Sequence, residues 1–287
     1  MDELSLVLAL GSLYALLAVG IVVVYRTSRV LNFAQGELAI VGGYGVTTAI
    51  GVAGGSVILG LGLMVTVAAV LGVVIYFVLM RPILGEAPYV GVLVTIGLAI
   101  FLRAAMVFIW EGQIEFVDLG ETGDWAIASG LEVPSTNART FIGCTATFIV
   151  IYLIYQRSRL GVRMRAVAEN VTLAAQRGIN VDVAIATAWV VALVAAGVAG
   201  ALYGAQALLS VPAAVVGVKA ITAALIGGLD SVKGAYVGGL VVATVEYFTT
   251  TQISARYADI APILLLLIVL TVRPWGMFGT AEEVERV

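Results

Sequence analysis

The run Asn32-Phe33-Ala34-Gln35-Gly36-Glu37 leads straight into LAIVGGYG, so three strongly polar side chains stand where an apolar stretch begins. Amide and carboxylate groups near hydrocarbon are expensive and call for an explanation. One explanation is structural. Asn32 can act as a helix N-cap, Gln35 three residues on can close a capping box, and Glu37 falls near the first turn, where the helix dipole favours negative charge. The other is chemical: a broken helix whose polar groups face water or a solute on a transport path. The two are compatible. A second interrupted stretch runs from Val211-Pro212 through small residues to Ile226-Gly227-Gly228-Leu229-Asp230-Ser231 and Lys233-Gly234-Ala235. Paired Gly/Pro-interrupted segments in the two halves of a chain point to a midplane site between repeats, although the halves here share no clear sequence identity.

Two charges, Arg103 and Glu246, lie deep in apolar runs, and each needs a partner or water. A mutual Arg103–Glu246 pair is one expectation. Snorkelling of Arg103 toward Glu111 and the headgroups is another.

A different kind of chemistry is suggested by RSRLGVRMRAVAENVTLAAQRGINVD at 157–182, which carries five arginines. It is too charged to cross a bilayer and too long for a tight turn. The spacing predicts an amphipathic helix over 163–176, with Met164, Val167, Val171 and Ala174 on one face and Gly178 at its C-terminal stop. Such a helix suits docking into a groove of a soluble partner, or else lies at anionic headgroups.

These residues must be positioned by an unusual framework. Hydrophobic residues make up 61% of the 287 positions and charged residues 11%, where soluble domains average about 25% charged. The mean hydropathy is +1.09. A soluble globular protein is excluded, and the class is all-α: a polytopic helical membrane protein of about eight to ten spans at roughly 20 residues each. Nine apolar runs fall at about 4–24, 33–50, 56–80, 89–110, 139–155, 183–204, 213–228, 234–252 and 259–272, the seventh short enough to be re-entrant. Arg26, Arg29, Arg81, the 157–182 arginines, Lys233 and Arg273 all fall on one side if the spans alternate, and 111–138, with six acids and no base, falls on the other. By the positive-inside rule the N-terminus is outside and the C-terminus inside. The N-terminal MDELSLVLAL lacks a basic leader region, so the first run is expected to be a permanent span. Most of the 33 glycines are expected to be helix-packing positions.

Several function classes are excluded. No GxxxxGK[ST] phosphate loop, zinc-protease helix, nucleophile elbow or dinucleotide fingerprint occurs. With no histidine and one cysteine, Cys144, neither a zinc site nor an intrachain disulfide is expected. The expectation is a non-enzyme that binds no metal, cofactor or nucleic acid of its own.

Taken in order, NFAQGELAIVGGY at 32–44, GVLVTIGLAI at 91–100, LGVRMRAVAENVTLAAQRGIN at 160–180, AALIGGLDSVKGAYVGGLVVATVE at 223–246 and RPWGMFG at 273–279 resemble the permease subunits of branched-chain amino-acid ABC importers of the leucine-isoleucine-valine type. The likeness spans essentially the whole chain. It is less specific for substrate, since urea and short-amide importers use related permeases, and an ion-coupled carrier or channel remains the rival class. The resemblance implies one permease domain over 1–287, with pseudo-symmetric halves, an extracytoplasmic loop at 111–138 and an ATPase-coupling loop at 156–182. In that loop Gly161, Arg163, Arg165, Ala166, Glu169, Asn170 and Gly178 match the family pattern. Asn32, Gln35, Gly36 and Glu37 match the first-half motif, and Gly227, Gly228, Gly234 and Glu246 the second-half motif. The path candidates are Asn32, Gln35, Gly36, Glu37, Gly227, Gly228 and Glu246, with Arg103 the other intramembrane charge. Gln35 replaces the family's histidine and leaves no titratable group for a proton role. The implied partners are two P-loop ATPase subunits carrying ATP and Mg, a second related permease, and an extracytoplasmic binding protein, assembled at the cytoplasmic membrane.

Overall fold

The computed structural model describes residues 2–280 apart from 121–122 and 129–130, two stretches of the 111–138 segment. Each of the nine apolar runs becomes a helical element: α1 (Asp2–Ser28), α2 (Gln35–Val52), α3 (Val57–Ile75), α4 (Pro88–Trp110), α5 (Ser135–Arg157), α8 (Val181–Gln206), α9 (Val216–Gly227), α10 (Val232–Gln252) and α11 (Ala261–Val272). Helix α3 runs on through a π-helical and a 3-10 turn to Ile83, and a 3-10 turn at Val211–Val215 leads into α9. Among the described residues, five helices are long and apolar enough to cross a membrane: α1, α3 with its continuation, α4, α5 and α8. The bundle is thus a polytopic helical membrane protein. Outside the helices, β1 (Asp124–Ala128) and β2 (Leu131–Pro134) pair antiparallel, a small addition to the all-α expectation. This hairpin marks one end of the bundle. The short helices α6 (Arg159–Glu169) and α7 (Val171–Gln176) mark the other.

The helix packing is two-fold in pattern. Helix α1 packs on α10 as α8 packs on α3, α2 packs on α8 as α9 packs on α1, and α2 meets α3 and α4 as α9 meets α10 and α11. Exchanging α1–α4 for α8–α11 maps these contacts onto themselves. Corresponding helices run in opposite directions: Asn137 at the start of α5 bonds Ser5 at the start of α1, and it also bonds Gln206 at the end of α8. The halves are therefore an inverted repeat, with α5–α7 as connector.

Each half contains an interrupted helix. Chain reversal at Arg29, whose φ of 57° lies in the left-handed region, sends the non-helical 30–32 back into the bundle, where a turn at 33–34 leads into α2. Helix α2 then starts deep inside, where the Gln35 Nε2 donates to the carbonyl of Ala192 in the middle of α8 (3.2 Å). In the other half, 207–210 returns from the hairpin end, and the 3-10 turn and α9 begin at the same depth, with Gly217 set against Gly36. The two half-helix N-termini meet there, and a side chain on either glycine would overlap the opposing backbone.

Non-helical backbone at this depth survives only if its polar groups are satisfied by protein. Thr95 does part of this for the first half: its hydroxyl accepts from Phe33 N (3.3 Å), and its single proton lies between the carbonyls of Leu31 (3.1 Å) and Val92 (2.9 Å). In the second half, Leu209 exchanges both backbone bonds with Glu115 (2.8 and 3.2 Å), and Val117 N donates to Gly204 O (3.0 Å).

Two local expectations are corrected. Asn32 is not the N-cap of α2, which lacks a side-chain cap; its Oδ1 accepts from Ala34 N (3.1 Å) and its Nδ2 donates to Gln35 Oε1 (2.9 Å), so no capping box forms. The Gln35 oxygen that a capping box would use accepts from the Asn32 side chain instead, and the Gln35 Nε2 is free to donate across the bundle to the Ala192 carbonyl. The single helix expected over 163–176 is two helices, because Asn170 takes an extended conformation (φ −158°) and caps α7 through Leu173 N (2.9 Å). Gly178 does stop α7, at φ 78°, with Gly178 N bonding Ala175 O and Ile179 N bonding Ala174 O.

The glycines divide. A side chain at Gly200 would collide with the Ala39 backbone, whereas Gly62 faces open space. Gly200→Val is expected to cost about 1–3 kcal/mol by overpacking, seen as a lower thermal midpoint in detergent, while Gly62→Ala leaves the midpoint unchanged or raises it.

Candidate functional site

The polar candidates of the first half converge. Asn32 and Gln35 are fully buried and hydrogen-bonded to each other, and Glu37 stands one turn into the meeting point of α2 and α9. Its partner is Arg103 of α4, not water: Arg103 Nε and Nη2 both reach Glu37 Oε1, at 2.8 and 2.7 Å. The carboxylate side chain is 4% exposed and the guanidinium side chain 57%. This replaces both expectations for Arg103. It neither snorkels to Glu111 nor pairs with Glu246.

Glu246 belongs to the other half. It takes Lys219 Nζ at 2.7 Å and the Tyr14 hydroxyl at 2.7 Å, and Lys219 also reaches Asp259 at 2.8 Å. Lys219 and Glu246 are both largely buried, with side chains 12% and 15% exposed. Lys219, Tyr14, Asp259 and Thr95 are absent from the sequence-derived candidates. A lysine inside an uncharged apolar run was the available signal for Lys219; the tyrosine and threonine offered none, since those residues are ordinary in spans.

The inverted repeat thus carries two ion clusters of different construction. Near the start of α2 the carboxylate is buried and the cation, exposed, lies on α4. In the opening turn of α9 the lysine is buried together with the carboxylate of Glu246 on α10, and the exposed carboxylate of Asp259, just before α11, completes the cluster. The α2 dipole favours Glu37, while Lys219 sits against the positive end of α9 and needs its acidic neighbours more.

Gly227 and Gly228 are not brought to this region. They lie at the far end of α9, where Gly227 abuts Gly234 and the tail 276–279 closes over the helix terminus: Met277 N and Phe278 N bond the carbonyls of Ile226 (2.8 Å) and Gly227 (3.0 Å). The motif pair at 226–234 and 273–279 is one cap built from two sequence segments.

At the α6–α7 end, Gly161 allows α6 to pack directly on the final carbonyls of α5. Arg165 donates to the Tyr155 carbonyl, and the Tyr155 ring has Arg26 and Arg165 over it at 5.6 and 5.7 Å. Arg165 is therefore part of the hinge between α5 and α6. Met164, Val167 and Ala174 face inward as expected, but Val171 does not, because the break at Asn170 turns α7. Val171 and Leu173 are 50% and 58% exposed, beside exposed Val162, Arg163 and Glu169, with Ala166 half-buried. On the α8 side, Asp182 holds Tyr76 (2.6 Å) and Arg81 (3.1 Å), tying the end of α3 to the same platform.

Between α2, α3, α4 and α8 lies a cavity of about 410 Å³ walled by Leu38, Val41, Met64, Leu71, Leu102 and Leu193, among others. Among the described residues no cluster of metal-ligating side chains occurs.

Comparison with known proteins accounts for this arrangement. The family described as "Branched-chain amino acid transport system / permease component" matches residues 4–270. The chain belongs to that family. Among its relatives are the high-affinity branched-chain amino acid transport system permease protein LivH of Escherichia coli K12, 31% identical over 97% of this chain and 94% of the relative, and BraD of Pseudomonas aeruginosa, 31% identical over 98% and 95%. A probable LivH from Methanocaldococcus jannaschii is 28% identical over 94% and 89%. The solved structure of PsaBC from Streptococcus pneumoniae in complex with Fab shares the fold, with a TM-score of 0.51 at 10% identity over 97% and 94% of the two chains. The permease is a multi-pass membrane protein, and its inverted repeat is the frame on which both ion clusters are mounted.

Removing Lys219 strands a buried carboxylate, so Lys219→Met is expected to destabilise the permease by roughly 3–5 kcal/mol. Lys219→Met combined with Glu246→Leu should cost clearly less than the sum of the two single changes. Thermal unfolding of the four proteins in one detergent decides it, and simple additivity would refute the buried pair.

Proposed function

We propose that the permease is the membrane subunit of an ATP-driven importer that carries leucine, isoleucine, valine or similar aliphatic amino acids across the cytoplasmic membrane by alternating access. It is a transporter rather than an enzyme. ATP and Mg act on two partner P-loop ATPase subunits, and a binding protein delivers the solute. A second, related permease completes the membrane unit and covers the broad apolar faces of α4 and α11, whose Phe101, Phe108, Leu267 and Ile268 are exposed.

The observation that carries this reading beyond family membership is the α6–α7 unit. Its inward face is fixed to α1, α5 and α8, while Val162, Val171 and Leu173 stand exposed among arginines at the end of the bundle. Apolar side chains interleaved with charge, on a short helix pair rigidly joined to the spans, form a docking face for a soluble subunit. A push there reaches α8 directly and, through the Asp182 bonds, α3. The segment 156–182 is the coupling loop in this reading, with Gly161, Arg165 and Gly178 shaping it and Arg163, Glu169 and Asn170 presented on it. The polar meeting point of α2 and α9, with Asn32, Gln35, Gly36 and Glu37 on one side and Lys219 and Glu246 on the other, stands at the path.

Orientation follows from charge. Arg26, Arg29, Arg81, Lys233, Arg273 and the α6–α7 arginines gather at one end, which is the cytoplasmic one. That places the N-terminus and the acidic 111–138 segment outside and the C-terminus inside. A protease-accessible tag on the hairpin should be cut from outside intact cells, and one after Thr280 should not.

Docking is tested at Leu173. Leu173→Asp is expected to weaken ATPase binding by about 30-fold or more, as loss of a central interface anchor does at roughly 2 kcal/mol, with membrane insertion unchanged. Co-purification and transport measured together check this; undiminished ATPase recovery would remove α7 from the interface. Arg165 makes a poorer probe, since its loss loosens the α5–α6 hinge as well.

A further inference from the structure

The geometry points to Glu37 and Arg103 as a recognition site for the zwitterionic head of an α-amino acid, with the apolar cavity beside them receiving its side chain. This inference rests on the proposed reading of the chain as an aliphatic amino-acid permease.

The starting point is placement. Arg103 stands two turns before the end of α4, with exposed Ile100 and Val107 one turn before and after it on the same face, while Phe101 and Phe108 lie on the opposite face. A guanidinium with 57% of its side chain exposed at such depth cannot face lipid alone. Something polar must meet it. The ion pair is also incomplete on both sides. Both guanidinium bonds fall on one oxygen, Glu37 Oε1, which leaves three of the five N–H donors of Arg103 uncommitted. The second oxygen, Oε2, accepts none of the described hydrogen bonds, and it is not among the sealed, unpartnered buried atoms.

An α-amino acid is complementary to these groups. Its carboxylate can take the free N–H edge of Arg103 in a bidentate contact, and its ammonium can approach Glu37 Oε2. The match also solves a charge problem. A lone arginine would accept the carboxylate but leave the ammonium uncompensated in a low-dielectric site. A neutral pair accepts a neutral zwitterion with both ends paired.

Chemical selectivity then comes from the neighbours. Neither Glu37 nor Arg103 lines the cavity of about 410 Å³, but the adjacent residue on each helix, Leu38 and Leu102, does, so the pair stands at its margin; the volume is within the roughly 300–1,000 Å³ of small-molecule sites. Two polar side chains on its wall, Thr48 and Trp110, are bonded to each other at 3.0 Å. The wall therefore offers little to a hydroxyl or a carboxylate and suits a branched aliphatic chain.

The site is tested in the full importer, purified with its ATPases and partner permease but without binding protein, and in parallel with binding protein in proteoliposomes. Leucine should raise the thermal midpoint of the wild-type membrane complex, while leucinamide and 4-methylpentanoate, each lacking one charge, should not. Equal shifts from leucine and leucinamide would overturn the inference without any variant. Arg103→Gln and Glu37→Gln should each lower leucine uptake at least tenfold and abolish the leucine-induced shift. The charge-swapped Glu37→Arg/Arg103→Glu double variant separates recognition from architecture. It rebuilds the ion pair but offers its charges in reversed positions, so uptake should stay at least tenfold down; recovery to within twofold of wild type would make the pair structural only and refute the site. If the wild-type importer moves no leucine although it hydrolyses ATP in response to another solute, the amino-acid reading fails first and takes this inference with it.

Discussion

The backbone of the two interrupted segments has to find hydrogen-bond partners inside the bundle, and much of the architecture follows from that requirement. An unpaired buried peptide group costs about 1–3 kcal/mol, and 30–34 and 207–210 run in part through the interior, with Asn32, Ala34 and Leu209 buried. Thr95 on α4 serves the first segment, and the strand-like Glu115–Val117 stretch serves the second. These solutions fix neighbours. Thr95 pins α4 beside the entry to α2, and that registry brings Arg103 to Glu37 two turns further along α4. The bridge at Leu209 carries Gln113 to the Tyr44 hydroxyl (2.6 Å), and Tyr44 stacks on Trp110 at a centroid distance of 5.2 Å. The stretch after α4 is thereby tied to both α2 and α4.

Glycine supplies the complementary condition. Helices without side chains at Gly36 and Gly217 can bring their N-termini together, and without them the half-helices would be pushed apart. Two helix N-termini in contact concentrate positive potential. Glu37 answers it on one side. On the other the chain places Lys219, which increases the positive charge, and then compensates with Glu246, Asp259 and the Tyr14 hydroxyl. An inverted repeat need not repeat its chemistry. The same backbone plan carries a buried carboxylate held by an exposed arginine in one half and a lysine–glutamate pair buried on both sides in the other, so the arrangement of charge is lopsided although the fold is symmetric.

What the sequence discloses follows from the range of the forces involved. Spans are set by local hydropathy, so nine apolar runs predict nine helical elements within a few residues. The stop at Gly178 is equally local, since left-handed backbone favours glycine there. Long-range pairing is not local. Arg103 and Glu246 were correctly expected to need partners, yet the partners, Glu37 and Lys219, depend on which helices touch. The capping reading of Asn32 and Gln35 failed for the same reason: the motif is right for an isolated helix, but a helix that starts against the Ala192 carbonyl uses its amides across the bundle. Lys219 was legible in principle and hidden in practice by a run of small residues.

The break at Asn170 shows how a small local change sets a functional surface. A continuous helix over 163–176 would bury Val171 with Met164, Val167 and Ala174, with Leu173 on the outer face opposite Met164. Extended backbone at Asn170 ends α6 after Glu169 and restarts the chain as α7, capped by the Asn170 side chain itself. The new axis keeps Ala174 inside and turns Val171 out as well, beside Leu173. The enlarged apolar exposure in an arginine-rich segment is thus a consequence of one residue's conformation, and the asparagine side chain, which caps the restarted helix, makes that conformation stable. The same residue separates α6, held to the bundle by Arg165 at the Tyr155 carbonyl and by the close packing that Gly161 allows, from α7, which exposes Val171 and Leu173. Both short helices also touch α8, α6 more extensively than α7. The connection from this exposed face to the spans is therefore short.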